Sequence, residues 1–284
     1  MTLQQVVTRA RGELQHAGIS SATAALDAEL LARHVLHWDR ATWLTRRTDP
    51  ATPDFERRYA EVMARRLARE PIAYIRGVQE FWGREFRVTP AVLIPRPETE
   101  LIVETAGEFL RAQPDAVVVD IGTGSGCIAI SLALEHRLAD IYATDISTGA
   151  LDLARENASR LGAGHIHFRH GHHLADTPRP VDLIVTNPPY VAANERPALA
   201  PEVRDHEPAV ALFGGDDGLR EIRAILDLSR AALAPGGWLI VEVGYNHSDR
   251  VSGEAERAAG LELVDFRADL HGLPRAAIIR RTGP

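Results

Sequence analysis

The run Val117-Val118-Val119-Asp120-Ile121 leads directly into Gly122-Thr123-Gly124-Ser125-Gly126, and a helix-like segment from Cys127 to Leu134 follows. A short apolar run bounded by turn residues predicts a buried strand. Glycines let a ligand approach the backbone closely where a helix begins. In the nicotinamide fingerprint a third glycine stands three places after the second, but here Cys127 holds that place and the glycine comes at 126. The spacing favours an S-adenosylmethionine site formed by Gly122, Thr123, Gly124, Ser125 and Gly126.

A second element of this site is expected at Asp145. It ends the next strand-like run, Ala143-Thr144-Asp145, 25 residues after Asp120. A carboxylate at the end of the second strand of such a sheet can accept hydrogen bonds from both ribose hydroxyls of a nucleoside. The alternative is a solvated acid that caps the helix starting near Thr148. The neighbouring glycine loop favours the ribose role.

Beyond residue 95, strand-like and helix-like segments alternate, which is typical of a parallel sheet covered by helices on both faces. We predict an α/β fold of the class I, Rossmann-like type with seven strands. The last two strands are separated only by a loop around Gly272, which favours an antiparallel pair at the end of the sheet. The predicted strands are 117–121, 140–145, 165–169, 181–186, 237–243, 262–267 and 276–281.

The length of 284 residues favours more than one domain. Residues 1–75 predict a small all-α domain. Its clearest helix has Thr52 as N-cap and Pro53 in the first turn, with Phe55, Tyr59, Val62, Met63 and Leu67 on one face. Period-two patterning in 76–95 predicts a connecting β-hairpin. Residues 96–284 form the predicted methyltransferase domain.

Asn187-Pro188-Pro189-Tyr190 directly follows the predicted strand 181–186, at the edge of the sheet where such folds bind ligands. The two prolines lack N–H groups, so the turn offers carbonyl acceptors without competing donors. A planar –NH₂ group fits this geometry. One N–H is expected to donate to the Asn187 side-chain oxygen and the other to the Pro188 carbonyl, with Tyr190 stacked on the planar group. The catalytic residues are therefore predicted to be Asn187, Pro188 and Tyr190, and the substrate-binding residues Asn187, Pro188, Pro189 and Tyr190.

This chemistry needs no strong base. An amide nitrogen is a poor nucleophile, but a sulfonium carries a highly activated methyl group, so in-line positioning can supply most of the acceleration. The oxygen acceptors also stabilise positive charge that develops on nitrogen. Two acceptors fit the pattern equally well at this point, namely the exocyclic amine of adenine and a glutamine side chain.

The amino-acid composition excludes several classes of enzyme and disfavours nucleic-acid binding. All 32 basic residues are arginine, so no lysine exists to form a Schiff base or a Walker motif. The formal net charge is −7, whereas nucleic-acid binding usually requires a concentrated basic surface. We therefore expect no direct nucleic-acid binding. No apolar run is long enough to span a membrane, and the first residues lack the pattern of a secretory signal, which together predict a cytoplasmic protein.

A histidine-rich stretch, 165–173, suggests a metal site at first sight. His165 and His167 share one face of a strand, and neither a carboxylate nor a cysteine framework accompanies them. The only cysteine, Cys127, cannot form a disulfide within the chain. We predict no metal.

Several segments closely resemble the peptide chain release factor glutamine methyltransferase family. They are Pro95-Arg96-Pro97-Glu98-Thr99-Glu100, the loop 120–126, Asn187 to Tyr190, and Glu202 to Leu219. The resemblance implies an N-terminal helical domain that recognises the substrate and methylation of the glutamine in the Gly-Gly-Gln loop of release factors. It also implies that the glycine loop, Asp145 and Asn187 hold the cofactor and that Asn187 to Tyr190 hold the glutamine.

The sequence departs from the family at three places. Gly171-His172-His173 stands where the family usually has an acidic residue near the adenine, so that His173 is the predicted neighbour of the adenine. His247 replaces a common glutamine, and Leu273-Pro274 replaces more polar residues. Two other functions remain open: an adenine amino-methyltransferase acting on DNA or RNA, and a noncatalytic cofactor-binding partner of the translation machinery.

Overall fold

The computed structural model describes residues 1–283, which divide into two units. The first contains Met1–Val78 together with Ala200–His206, and the second contains Gln79–Leu199 and the chain from Glu207 onward. The predicted domains 1–75 and 96–284, with the connecting segment 76–95 between them, differ from this division in two respects. From Gln79 onward the connecting segment is part of the second unit. Residues 200–206 were expected within the C-terminal domain, but they belong to the helical first unit because Glu202 forms ion pairs with Arg66 and Arg69.

The first unit is helical, as predicted. Its fourth helix starts where expected: Thr52 Oγ1 accepts a hydrogen bond from the N–H of Phe55, and Pro53 occupies the first turn. Phe55 and Tyr59 stack on each other in the buried core of this unit. The helices are α1 Leu3–His16, α2 Ser21–Leu36, α3 Arg40–Arg46, α4 Pro53–Leu67, α5 Ile72–Arg76 and, from the later segment, α9 Pro201–His206.

The predicted hairpin is confirmed. Strands β1 Val78–Phe81 and β2 Arg84–Arg87 are joined by Trp82 and Gly83, which both have positive φ angles (52° and 69°). Two consecutive residues with positive φ match the right-handed twist of the two strands. Phe81 and Phe86 contact each other edge to face inside the core of the second unit.

A seven-stranded sheet forms the centre of the second unit, as predicted. Its order is β5-β4-β3-β6-β7-β9-β8, parallel except that β9 runs antiparallel to both of its neighbours. The expected antiparallel pair is therefore present at the end of the sheet. Strand β7 begins at Leu233, four residues before the predicted strand 237–243. The strands are β3 Val117–Ile121, β4 Asp140–Asp145, β5 His167–His170, β6 Val181–Thr186, β7 Leu233–Glu242, β8 Leu261–Ala268 and β9 Pro274–Arg281.

Helices cover both faces of this sheet. Alternate residues of a strand point to opposite faces, and accordingly Val118 and Val119 belong to two different apolar clusters. The helices are α6 Glu100–Ala112, α7 Cys127–Glu135, α8 Thr148–Leu161, α10 Ala209–Leu212, α11 Arg220–Ala232 and α12 Ser248–Arg257, with short 3-10 helices at Pro97–Thr99 and Ala193–Ala198. Across residues 1–283, none of the helices has the length and apolar character needed to cross a bilayer.

Candidate active site

The loop after β3 has the backbone conformation that only glycine adopts without strain. The φ angles of Gly122, Gly124 and Gly126 are 70°, 57° and 83°. A Cβ atom on Gly126 would lie 2.7 Å from the Cδ1 atom of Ile130, so Gly126 is required for packing under the loop. A Cβ on Gly122 would meet open space. The first glycines of the loop thus face the ligand side, and the last one faces the protein.

The carboxylate of Asp120 anchors the glycine loop through two hydrogen bonds. Its Oδ2 atom accepts hydrogen bonds from Thr123 Oγ1 (2.7 Å) and from the N–H of Ala129 (3.3 Å). Burial raises the pKa of this carboxyl to about 7. Asp120 therefore ties the strand, the glycine loop and the first turn of α7 together.

Asp145 lies beside the glycine loop, at the end of β4. Its carboxylate accepts hydrogen bonds from the N–H groups of Gly124 (2.9 Å) and Ser147 (2.8 Å). Burial raises the pKa of this carboxyl above its usual value. The cap of α8 is Ser147, whose Oγ accepts from the N–H of Ala150. Asp145 is therefore not the N-cap residue, and its remaining lone pairs are available to a ligand.

A cavity of about 360 Å³ brings most of the predicted site residues together. Its volume is in the range of small-molecule sites. Two predicted residues, Gly126 and Tyr190, are outside its lining. The predicted site residues that line it are Gly122, Thr123, Gly124, Ser125, Asp145, His173, Asn187, Pro188 and Pro189.

Asn187 is attached to a buried chain of hydrogen bonds. Its Nδ2 donates to Thr99 Oγ1 (3.1 Å), and the Thr99 hydroxyl donates to Glu242 Oε2 (2.6 Å). The Tyr190 hydroxyl donates to the other oxygen of Glu242 (3.3 Å). Burial raises the pKa of the Glu242 carboxyl to about 7. The Tyr190 hydroxyl is therefore directed to Glu242, and the stacking of its ring on the substrate stays a prediction.

A clamp of glycines supports the Asn-Pro-Pro-Tyr loop from the other side. A Cβ atom on Gly214 would lie 2.4 Å from the carbonyl oxygen of Pro189, and one on Gly218 would lie 2.3 Å from that of Tyr190. The N–H of Gly214 also donates to the Val191 carbonyl (3.0 Å). In the sequence, this segment contributes only to the family resemblance. Its glycine repeat was the available signal for a close backbone contact.

Arg96 and Glu207 lie beside the predicted site residues. Arg96 lines the cavity and forms an ion pair with Glu207, whose side chain is 1% exposed. The other carboxylate oxygen of Glu207 accepts from the N–H of Ile94 (3.3 Å). Glu207 thus fixes the segment around Arg96 at the rim of the cavity.

The histidines have separate environments. His173 lines the cavity, and its Nε2 atom lies 3.0 Å from Glu221 Oε2. His167 stacks on Tyr142, with ring centroids 4.6 Å apart. His247 is buried, and its ring meets that of Tyr190 edge to face. Within residues 1–283, no group of three or more His, Cys, Asp or Glu side chains is arranged to hold a metal ion.

The sheet order, the glycine loop after its first strand and the polar loop after its fourth define a class I methyltransferase fold. Residues 99–203 match the methyltransferase small domain family, and residues 5–77 match the PrmC N-terminal domain. A solved methyltransferase from Pyrococcus furiosus has the same fold, with a TM-score of 0.53, 18% identity, and coverage of 79% of this chain and 100% of that one.

Curated relatives narrow the class to one family. The release factor glutamine methyltransferase of Cereibacter sphaeroides is 45% identical over 94% of this chain and 94% of its own length. That of Koribacter versatilis is 41% identical over 99% of each chain. The chain belongs to the release factor glutamine methyltransferase family.

Proposed function

We propose that this protein transfers a methyl group from S-adenosylmethionine to the side-chain amide nitrogen of the glutamine in the Gly-Gly-Gln motif of peptide chain release factors. One observation carries the proposal: Asn187 and Asp145, with the glycine loop, line the same cavity. The names and high coverage of the relatives support the choice of substrate. Because release factors work on the ribosome, we propose the cytoplasm as the place of the reaction.

The residues of the glycine loop and Asp145 fit the cofactor. An ionised carboxylate has about four acceptor sites, and Asp145 uses its oxygens for two backbone N–H groups. The remaining sites would accept the two ribose hydroxyls. The open space above Gly122 lets the ligand approach the backbone, and His173 would border the adenine. The bound cofactor supplies an activated methyl group.

The Asn-Pro-Pro-Tyr loop would hold the glutamine amide. The Asn187 side-chain oxygen would accept one N–H of the substrate, and the Pro188 carbonyl would accept the other. Pro188 and Pro189 line the cavity and contribute no competing N–H donor. Both acceptors stabilise the positive charge that develops on the nitrogen during transfer. Tyr190 would support this loop through Glu242 in addition to any contact with the substrate.

The helical first unit is proposed to recognise the release factor. It matches the PrmC N-terminal domain over residues 5–77. The methyl acceptor is a protein loop, whereas a cavity of about 360 Å³ is in the size range of small-molecule sites. Recognition of the rest of the substrate therefore requires a surface outside the cavity. We propose no direct contact with nucleic acid, in keeping with the net charge of −7.

A labelled-cofactor assay tests this proposal. Wild-type protein should label a purified release factor, and Asn187→Ala should lose about 100-fold or more of the turnover while the protein still binds the cofactor. Asp145→Ala should instead weaken cofactor binding by about 10- to 100-fold in calorimetry. Labelling of DNA or RNA, with none on the release factor, would overturn the proposal.

A further inference from the structure

The hydrogen-bond chain behind the cavity has an unusual composition. Glu242 is 2% exposed at the end of β7, and Thr99 is 2% exposed between the Pro97–Thr99 turn and α6. Two hydroxyl groups donate to the carboxylate of Glu242, one to each oxygen. The nearby Arg275 is directed elsewhere, since its Nε lies 2.9 Å from Asp269 Oδ2. Glu242 thus interacts with neutral donors.

These donors and acceptors fix the direction of the hydrogen bonds that link Glu242, Thr99 and Asn187. When Glu242 is ionised, its carboxylate only accepts hydrogen bonds, so the hydroxyl proton of Thr99 must be directed to Glu242. The oxygen of Thr99 then faces Asn187 with its lone pairs and can only accept. The Asn187 amide must therefore turn its –NH₂ end to Thr99. Its carbonyl end, Oδ1, remains for the cavity that Asn187 lines.

We infer that Thr99 and Glu242 are positioning residues that orient the Asn187 amide so that its oxygen faces the N–H of the substrate. The inference rests on the proposed function, in which that oxygen is the acceptor. A reversed amide would present –NH₂ to the –NH₂ of glutamine, which places two donors together. An asparagine without a directed partner would populate both orientations, and only one of them is productive.

Thr99→Val tests this role, because valine keeps the shape of threonine and removes the hydroxyl. We expect kcat for release factor methylation to fall by about 10- to 100-fold, with the KM for the release factor and the affinity for S-adenosylhomocysteine within about threefold of wild type. Thr99→Ser keeps the hydroxyl and should recover kcat to within about threefold of wild type. A Thr99→Val protein that is folded and has wild-type kcat overturns the inference.

A measurement that needs no methyl transfer reports on the same network. The chain has four asparagines, Asn157, Asn187, Asn194 and Asn246, so selective ¹⁵N labelling gives few side-chain amide signals, and Asn187→Ala assigns the relevant pair. One proton of that pair should be protected from exchange in the wild type and in Thr99→Ser, and unprotected in Thr99→Val. Unchanged protection in Thr99→Val overturns the inference, whatever happens to kcat.

Glu242→Gln is a second variant that tests the same inference if Thr99→Val does not fold. Glutamine has nearly the same shape and removes a buried charge, so folding should persist. Its amide can also donate to Thr99, which removes the fixed direction, and Asn187 protection and kcat should both fall. Retention of both would overturn the inference. If wild-type protein does not methylate a release factor, the proposed function fails, while the protection data still decide the orientation of Asn187.

Discussion

Each unit of the protein contains a buried carboxylate network, and the two networks are built differently. In the helical unit, Asp27 lies 2.6 Å from Arg66, which also pairs with Glu202 at 2.9 Å. In the methyltransferase unit, Glu242 accepts hydrogen bonds from the hydroxyls of Thr99 and Tyr190. The first network neutralises charge with charge, whereas the second leaves a buried charge stabilised by dipoles. The first is suited to holding a segment in place, and the second to orienting a reactive group.

The electrostatics of the two networks differ accordingly. Burial raises the pKa of Asp27, but hydrogen bonding and attraction from Arg66 oppose this rise. Burial would also raise the pKa of Glu202, yet its pKa lies below the usual value because hydrogen bonds, including those from Arg69 and Arg66, outweigh that effect. Burial raises the pKa of Glu242 to about 7, and the hydroxyls oppose it only in part. The ionised form of Glu242 is therefore the costly one.

The largest effect is expected when the ion-paired network is broken. Arg66→Met leaves Asp27 buried without its cation, and the loss of one partner of such a pair costs about 3–5 kcal/mol in the free energy of unfolding. Chemical denaturation followed by circular dichroism measures this change. Arg66→Met combined with Asp27→Leu should recover part of the loss, because neither buried charge of that pair remains. An Arg66→Met protein as stable as wild type would show that this network does not hold the helical unit.

Glu242→Gln should preserve or raise the stability of the protein while it lowers kcat. At pH 8 its free energy of unfolding should equal or exceed that of wild type, because the substitution removes a buried charge without a cation partner. Its kcat should still fall by about tenfold, since the orientation of Asn187 is no longer enforced. Denaturation and methylation assays on the same preparation measure both. A large loss of stability with unchanged kcat would assign Glu242 a purely structural role.

The pH dependence gives a third distinction. Burial raises the pKa of Glu242 from 4.5 to about 7 on folding, so Glu242 binds more protons in the folded state between these values, and its contribution to stability falls as pH rises through that window. The contribution is about 3 kcal/mol at most. Glu98 raises the pKa of Glu242, while Arg275 and the hydroxyls of Thr99 and Tyr190 lower it.

Denaturation from pH 4.5 to 8 measures this contribution. Glu242→Gln should flatten the profile in part; Asp120, whose pKa is also raised to about 7, and Asp145 and Asp27, whose pKa values burial also raises, contribute to the slope that remains. The kcat of wild type should rise with pH through about 7, because only ionised Glu242 fixes the direction of the hydrogen bonds from Asn187 to Thr99 and from Thr99 to Glu242. An unchanged stability profile in Glu242→Gln would contradict this assignment.

The smallest effect is expected at an exposed ion pair, which serves as the control for both networks. Arg57 and Glu61 lie 2.7 Å apart on α4, and both side chains are 63% exposed. Glu61→Gln should leave the free energy of unfolding unchanged within the error of the measurement, because solvent and salt screen such pairs. A loss close to that of Arg66→Met would mean that pairing alone, rather than burial, determines stability here.

Short sequence patterns predicted the features that depend on residues close together in the sequence. The glycine loop and Asp145 follow strands that are recognisable from short apolar runs, and the cap at Thr52 is a matter of three residues. The network behind Asn187 could not be predicted in this way, since Thr99 is 88 residues from Asn187 and 143 from Glu242. Only the packed sheet brings these residues together.

The same limit explains why local patterns missed the unit to which residues 200–206 belong and the residue at which β7 begins. Residues 200–206 have no local signal for the unit they join, because that membership depends on ion pairs between Glu202 and two distant arginines. Leu233 continues the apolar period of α11 but begins β7, where its pairing with Val181 takes over. Both outcomes follow from tertiary contacts that override the local pattern.

The most direct measurement is the position of the transferred methyl group. A purified release factor is incubated with S-adenosylmethionine and either wild-type protein or Asn187→Ala, then digested and sequenced by fragment mass spectrometry. The mass of one methyl group should appear on the side chain of the Gly-Gly-Gln glutamine with the wild type, and at about 1% of that rate or less with Asn187→Ala. A methyl group on any other residue, or equal modification by both proteins, would contradict the assignment of Asn187 as the group that holds a glutamine amide.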